Sequence, residues 1–114
     1  MTTSDTGKYR LFFLPQALEE WRALDGSVKT ILKKLLAKRL HNPHVPGGAL
    51  HGDLAGCYKI KLNQQGIRLV YAVEDDKLIV MVMSVDKRED STVYKSAVRR
   101  ITEKVAALAK LAKD

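Results

Sequence analysis

The chain has 114 residues, which is enough for one domain, 1–114, with a modest hydrophobic core. Its 20 lysines and arginines outnumber 13 aspartates and glutamates, and the formal charge of +7 favours acidic partners such as nucleic acid. No apolar run approaches the roughly 20 residues of a membrane-spanning helix, and the start, polar through residues 1–8, predicts a flexible tail rather than a signal peptide. The lone Cys57 excludes an internal disulfide and favours a reducing cytoplasm.

The first half of the chain predicts a strand followed by two helices. The aromatic and apolar run 9–14 is typical of a strand, and Pro15 suits the first turn of a helix. Apolar residues recur at helical spacing through 17–24 and again through 28–40, with a short Asp-Gly break between them. So short a connection predicts an antiparallel helix hairpin.

The second half predicts a loop, three strands and a last helix. Residues 41–56 are rich in proline, glycine and histidine, which is typical of an ordered loop. Apolar segments follow at 57–62, 67–73 and 78–85, and the short turns between them force antiparallel neighbours. A C-terminal helix is predicted over 92–112. We therefore expect an α+β domain in which the helix hairpin packs on a small, mainly antiparallel sheet that includes the N-terminal strand.

Basic side chains gather around the first hairpin of this sheet. Lys59 and Lys61 are two residues apart in a strand, so both should point away from the helices. Two adjacent ammonium groups repel each other, and a bound polyanion would relieve that repulsion. The following turn returns Arg68 to the same face if the strand register allows it, and Arg88 follows the last predicted strand. The set predicts a nucleic-acid site; the alternative is that these are ordinary solvated charges.

Such a site suits a reaction whose transition state gains negative charge, and RNA phosphodiester cleavage is one. The 2′-hydroxyl attacks the adjacent phosphorus once a base removes its proton, and this step needs no metal. A lysine acts as a base only when its pKa falls from about 10.4, and neighbouring cations push it in that direction. Lys61 is better placed for this role than Lys59, because Arg68 is expected beside it.

The three histidines, His41, His44 and His51, lie in or beside the predicted loop. No cysteine or carboxylate completes a recognisable metal-ligand spacing with them, so we predict no metal and no cofactor. His51 is the histidine expected to contact RNA.

Five motifs of this chain resemble the RelE toxins of type II toxin–antitoxin modules, within the wider RelE/ParE superfamily. They are A-L-E-E-W-R-A-L at 17–24, L-H-G at 50–52, C-Y-K-I-K-L at 57–62, G-I-R-L-V-Y at 66–71 and V-D-K-R-E-D-S-T-V-Y at 85–94. The resemblance implies the RelE/ParE-like fold and a messenger-RNA endoribonuclease that inhibits translation. It implies cutting of codons in the ribosomal A site by 2′-hydroxyl attack, without a metal.

The resemblance also implies a role for each site residue. Lys61 would be the general base, and Lys59 and Arg68 would stabilise phosphate charge. Arg88 would stabilise charge or protonate the leaving group, and Tyr94 would stack on or orient the substrate. All five positions hold the residue types expected of the family.

The partners implied are a cognate antitoxin, the A site of the small ribosomal subunit, and messenger RNA, with operator DNA bound only by the toxin–antitoxin complex and no membrane. Two features depart from the family pattern: His51 stands where arginine is frequent, and the last helix is longer than usual. Two alternatives stay open. One is a ParE-like DNA gyrase inhibitor on the same fold, although such sequences generally lack the basic set. The other is a non-catalytic nucleic-acid-binding module.

Overall fold

The computed structural model describes residues 8–87 and 90–113. Its strands and long helices are β1 (Arg10–Phe13), α1 (Pro15–Arg22), α2 (Gly26–His41), β2 (Cys57–Leu62), β3 (Ile67–Glu74), β4 (Ile79–Lys87), α3 (Asp90–Arg99) and α4 (Ile101–Lys113). The predicted tail, apart from Lys8, and the predicted site residue Arg88 lie outside the described residues. Within the described ranges, no helix is both long and apolar enough to cross a bilayer.

The four strands form one sheet in the order β1-β4-β3-β2. The pairs β2–β3 and β3–β4 are antiparallel, as their short turns require, whereas β1 pairs with β4 in parallel. A parallel pair needs a long crossover connection, and here the helix pair and two strands supply it. The predicted α+β class and mainly antiparallel sheet are confirmed.

A bulge in β4 decides which of its side chains share a face. Val70 pairs with Ser84, but the next residue, Tyr71, pairs with Val82, so Met83 is an extra residue in β4. The bulge places Met81 and Ser84 on one face although they are three residues apart. We call this side the lysine face. Two of its rows are Lys59–Val70–Ser84 and Lys61–Arg68–Asp86.

Helices α1 and α2 cover the opposite face. Phe13 and Tyr71 both pair with Val82, so they point to the same side of the sheet. Phe13 meets Trp21 of α1 edge-to-face at 5.3 Å, and the Tyr71 hydroxyl accepts a hydrogen bond from Arg39 of α2 at 2.7 Å. The buried stripe of α2 at helical spacing consists of Leu32, Leu36 and Leu40. The predicted helix pair therefore packs as expected.

The C-terminal segment covers the centre of the lysine face. Ser84 donates a hydrogen bond from its hydroxyl to the carbonyl of Val93 in α3 at 2.8 Å. In α4, Lys104 lies 3.5 Å from the carboxylate of Glu74 in β3. The helices therefore shield β3 and β4 on this side, while Lys61 on the edge strand stays exposed.

The prediction of one helix over 92–112 was wrong, because the chain turns at Arg100 and forms two helices. The Arg100 guanidinium holds both carboxylate oxygens of Glu20 in α1, at 3.0 and 2.8 Å, and donates to the carbonyl of Met83 at 2.9 Å. Glu20 also accepts from the backbone N–H of Val85 at 2.9 Å. Strand β1 ends before this stretch of β4, so the ion pair satisfies backbone groups that β1 leaves unpaired.

Cys57 is buried in β2, and this burial raises the pKa of its thiol. A raised pKa keeps the thiol protonated at neutral and mildly alkaline pH, and the thiolate is the reactive form. We expect iodoacetamide at pH 8 to label the folded protein at least about tenfold more slowly than the urea-unfolded chain, as followed by mass spectrometry. Equal labelling rates would contradict this expectation.

Candidate active site

Lys59, Lys61 and Arg68 lie together on the lysine face. The register of β2 and β3 pairs Lys61 with Arg68 and Lys59 with Val70. Residues directly opposite in an antiparallel pair share a face, so all three cations point to the same side. The prediction that the turn returns Arg68 beside the lysines is confirmed.

Positive charge dominates this part of the sheet. Lys61 and Arg68 carry like charges at directly opposite positions, an arrangement that destabilises a sheet. The same row also holds one carboxylate, because Asp86 of β4 is the register partner of Arg68. Arg68 is half-buried and Lys61 is exposed, so a guanidinium held in the sheet stands beside an accessible ammonium. A phosphate between them would offset their repulsion.

A groove of about 200 Å³ opens beside the lysines at the edge of the sheet. We call it the edge groove; it is lined by Arg39, Val45, Gly47, Gly48, Lys59 and Lys61. The loop after α2 forms one wall and approaches β2 closely. A Cβ on Gly48 would lie 2.8 Å from the carbonyl oxygen of Lys59, so glycine is required there.

Arg39 is the basic residue of this groove that sequence reasoning missed. It lies in the last turns of α2, four residues after the half-buried Leu35, and is itself half-buried. A basic residue on such a flank of an amphipathic helix reaches past the sheet edge, which is the signal that was available. The other basic residues of the predicted helix lie on its exposed side or its border, and only the structure separates Arg39 from them.

The buried hydroxyl of Tyr71 fixes both Arg39 and the start of the loop. It donates to the carbonyl of Pro43 at 2.8 Å and accepts from Nη1 of Arg39 at 2.7 Å. The guanidinium also lies over the Tyr71 ring at 5.6 Å. Burial raises the pKa of Tyr71, with Arg39 opposing the shift, so the hydroxyl keeps its proton at physiological pH.

His44 anchors the same loop to β2 and to the turn after β3. Its Nδ1 lies 2.8 Å from the Tyr58 hydroxyl, and its Nε2 lies 2.7 Å from Oδ1 of Asp75. The hydrogen bonds from His44 and then from Tyr9 hold the pKa of Asp75 below its usual value. The start of the loop wall is thus fixed by hydrogen bonds at the adjacent residues Pro43 and His44.

Two further predicted site residues, Tyr94 and His51, do not line the edge groove. Tyr94 is half-buried on α3, on the lysine face, and lines a separate cavity of about 390 Å³. His51 is exposed immediately before a short turn of 3-10 helix, Gly52–Leu54. Arg88 falls outside the ranges described. Among the residues within them, no cluster of histidine, cysteine or carboxylate side chains is suited to hold a metal ion.

Comparison with known proteins places the chain in a family. The model of the family described as ParE toxin of type II toxin-antitoxin system, parDE, matches residues 11–92. The chain is 50% identical over 93 residues to the mRNA interferase toxin RelE of Escherichia coli (strain K12), covering 82% of this chain and 97% of that protein. It is 45% identical over 94 residues to a putative RelE-like toxin protein of Escherichia coli, covering 82% of this chain and 98% of that protein.

Solved structures agree with the sequence comparison. A mutant of the E. coli toxin RelE in the free state matches with a TM-score of 0.75 at 48% identity, covering 82% of this chain and 98% of that chain. A chain of the intact E. coli RelBE toxin-antitoxin complex matches with a TM-score of 0.68 at 47% identity, covering 71% of this chain and 98% of that chain. Since sequence and fold agree over most of its length, the chain belongs to the RelE family of type II toxins, within the RelE/ParE superfamily.

Proposed function

We propose that this protein is the toxin of a type II toxin–antitoxin module and that it cleaves messenger RNA on the translating ribosome. The observation that carries the proposal is the group of Lys59, Lys61 and Arg68 on one face of the sheet, in a chain half identical to an mRNA interferase. Cleavage by the RNA 2′-hydroxyl needs a base and cations around the scissile phosphate, and no metal. These three side chains supply both kinds of group.

Each residue has a proposed role in this reaction. Lys61, exposed beside Arg68, acts as the general base on the 2′-hydroxyl. Arg68 and Lys59 hold the phosphate, and the planar fork of an arginine suits two of its oxygens. Arg88 stabilises charge or protonates the leaving oxygen, and Tyr94 orients the substrate.

The proposal can be tested by inducing the protein in growing cells and mapping the 5′ ends of messenger RNA soon afterwards. Cuts at in-frame codon positions of translated messages, absent from untranslated RNA, are the expected result. The ribosome dependence follows if the isolated protein leaves the same RNA intact until programmed ribosomes are added. Intact messages in cells that stop growing would contradict it.

A second candidate function is inhibition of DNA gyrase, because the matching family model is that of the ParE toxins. This activity would leave messenger RNA intact while it produced DNA breaks and an SOS response in the same induced cells. The group of Lys59, Lys61 and Arg68 on one face favours the ribonuclease, since a protein inhibitor of gyrase needs no scissile-phosphate site.

The proposed partners follow from the same function. They are the ribosomal A site with its messenger RNA, met in the cytoplasm, and a cognate antitoxin that shields the toxin. A mutant of the E. coli toxin RelE has been solved in complex with an antitoxin RelBc peptide, and that toxin chain is 48% identical to this one. Operator DNA would be bound only by the toxin–antitoxin complex.

A further inference from the structure

We propose that the edge groove is a second phosphate site, in which Arg39 holds the RNA backbone one step away from the phosphate at Lys61 and Arg68. This inference rests on the proposed RNA-directed function and adds a substrate contact to it. Lys61 belongs to both phosphate sites, because it lines the edge groove and lies directly opposite Arg68 in the neighbouring strand. One extended strand of RNA lying along β2 would therefore meet both.

The charges lining the edge groove select an anion. Three cationic side chains reach it, from α2 and from two positions of β2, and none of the described residues that line it is acidic. Its volume of about 200 Å³ is below the range of sites for drug-sized ligands. A single phosphate group on a longer chain fits this space better than a free nucleotide does.

The hydrogen bonds of Arg39 leave one side of its guanidinium for a ligand. Nη1 donates to the Tyr71 hydroxyl at 2.7 Å and lies 3.5 Å from the carbonyl oxygen of Lys59. Within the part of the chain that the structure describes, Nε and Nη2 make no hydrogen bond. These two groups form the fork that binds two oxygens of a phosphate in parallel.

The edge groove is formed before any ligand arrives. Tyr71 holds Arg39 by a hydrogen bond and by the stacking of its ring, and it also holds the carbonyl of Pro43 at the start of the loop wall. Gly48 brings that wall into backbone contact with Lys59. A site whose groups are already ordered loses less conformational entropy on binding.

The phosphate-binding role of Arg39 can be separated from catalysis with a single-stranded RNA that carries 2′-O-methyl groups. The protein can bind this RNA but cannot cleave it. The test compares wild type with Arg39→Gln and Lys38→Gln by fluorescence anisotropy over a series of salt concentrations. Lys38 is the matched control, because it is the exposed neighbour on α2 and does not line the groove. We expect Arg39→Gln to bind about tenfold more weakly at low salt, and its log–log salt slope to be smaller by about 0.7. Lys38→Gln should match wild type.

A variant that keeps the charge guards against a folding defect in Arg39→Gln. Arg39→Lys retains the salt slope of wild type but lacks the fork, so we expect it to bind about threefold more weakly. Urea unfolding of each variant identifies any loss that comes from misfolding. Equal affinities of Arg39→Gln and Lys38→Gln, or a wild type that binds no RNA at low salt, would overturn the inference. Arg39-dependent binding in a protein that leaves translated messages intact would instead keep the phosphate site and refute the proposed function.

Discussion

Replacing Lys61 by alanine is expected to lower ribosome-dependent messenger-RNA cleavage about 10²–10⁴-fold, the usual range for loss of a general base. The fold should be at least as stable as that of wild type. Lys61 is exposed and stands directly opposite Arg68, so its removal relieves a repulsion between like charges across the two strands. The loss of activity is checked by measuring cleavage in a reconstituted translation system. The stability is checked on the same samples by measuring the free energy of unfolding in urea.

The matched control for Lys61→Ala is Lys33→Ala. Lys33 is exposed on α2, on the other side of the sheet, so this change removes the same charge from a place that should not contact RNA. Its cleavage rate should equal that of wild type. Full activity in Lys61→Ala, or an equal loss in both variants, would refute the role assigned to Lys61.

The cross-strand pairing of Lys61 and Arg68 allows a sharper reading of the same experiment. If both side chains act on one phosphodiester, each single alanine substitution already disables the shared step. The double variant should then lose less activity than the product of the two single losses. Losses that multiply would mean that Lys61 and Arg68 act at separate places.

The hairpin that carries the site follows from local sequence rules. Strict alternation of side chains predicts β2 over 57–62, and these are the bounds observed. The four-residue turn that ends at Gly66, with a φ of 67°, sets the register that brings Arg68 opposite Lys61. The next strand was predicted from Leu78 but begins at Ile79, because Leu78 adopts a φ of 54° in the turn.

Contacts between distant parts of the chain explain what sequence patterns missed. The parallel pairing of β1 with β4 and the extra Met83 in β4 depend on packing that no local period records. Arg39 reaches the site only because the loop after α2 folds against the edge of β2. The helix break at Arg100 has the same origin, since the local sequence favours an unbroken helix and Glu20, 80 residues away, draws the side chain inward.

Replacing Arg100 by alanine is expected to reduce the free energy of unfolding by about 3 kcal/mol, the lower part of the range for breaking a buried ion pair. The Arg100 side chain is 8% exposed and that of Glu20 is 30% exposed, so water regains part of the carboxylate and moderates the loss. Urea unfolding measures the change. Arg99→Ala is the control, because Arg99 is exposed and, among the described residues, donates one long hydrogen bond, to Ser96. It should change stability by about 0.5 kcal/mol or less.

A second variant separates the effect of the Arg100 charge from the effect of its hydrogen bonds at the edge of β4. Arg100→Lys keeps a positive charge near Glu20 but lacks the fork that reaches both carboxylate oxygens and the carbonyl of Met83. If charge alone stabilised the fold, Arg100→Lys would match wild type. Because the pair also satisfies backbone groups of β4 beyond the end of β1, we expect Arg100→Lys to lose more than half of what Arg100→Ala loses. A stability equal to that of wild type would show that the strand edge at Met83 needs no partner from the C-terminal segment.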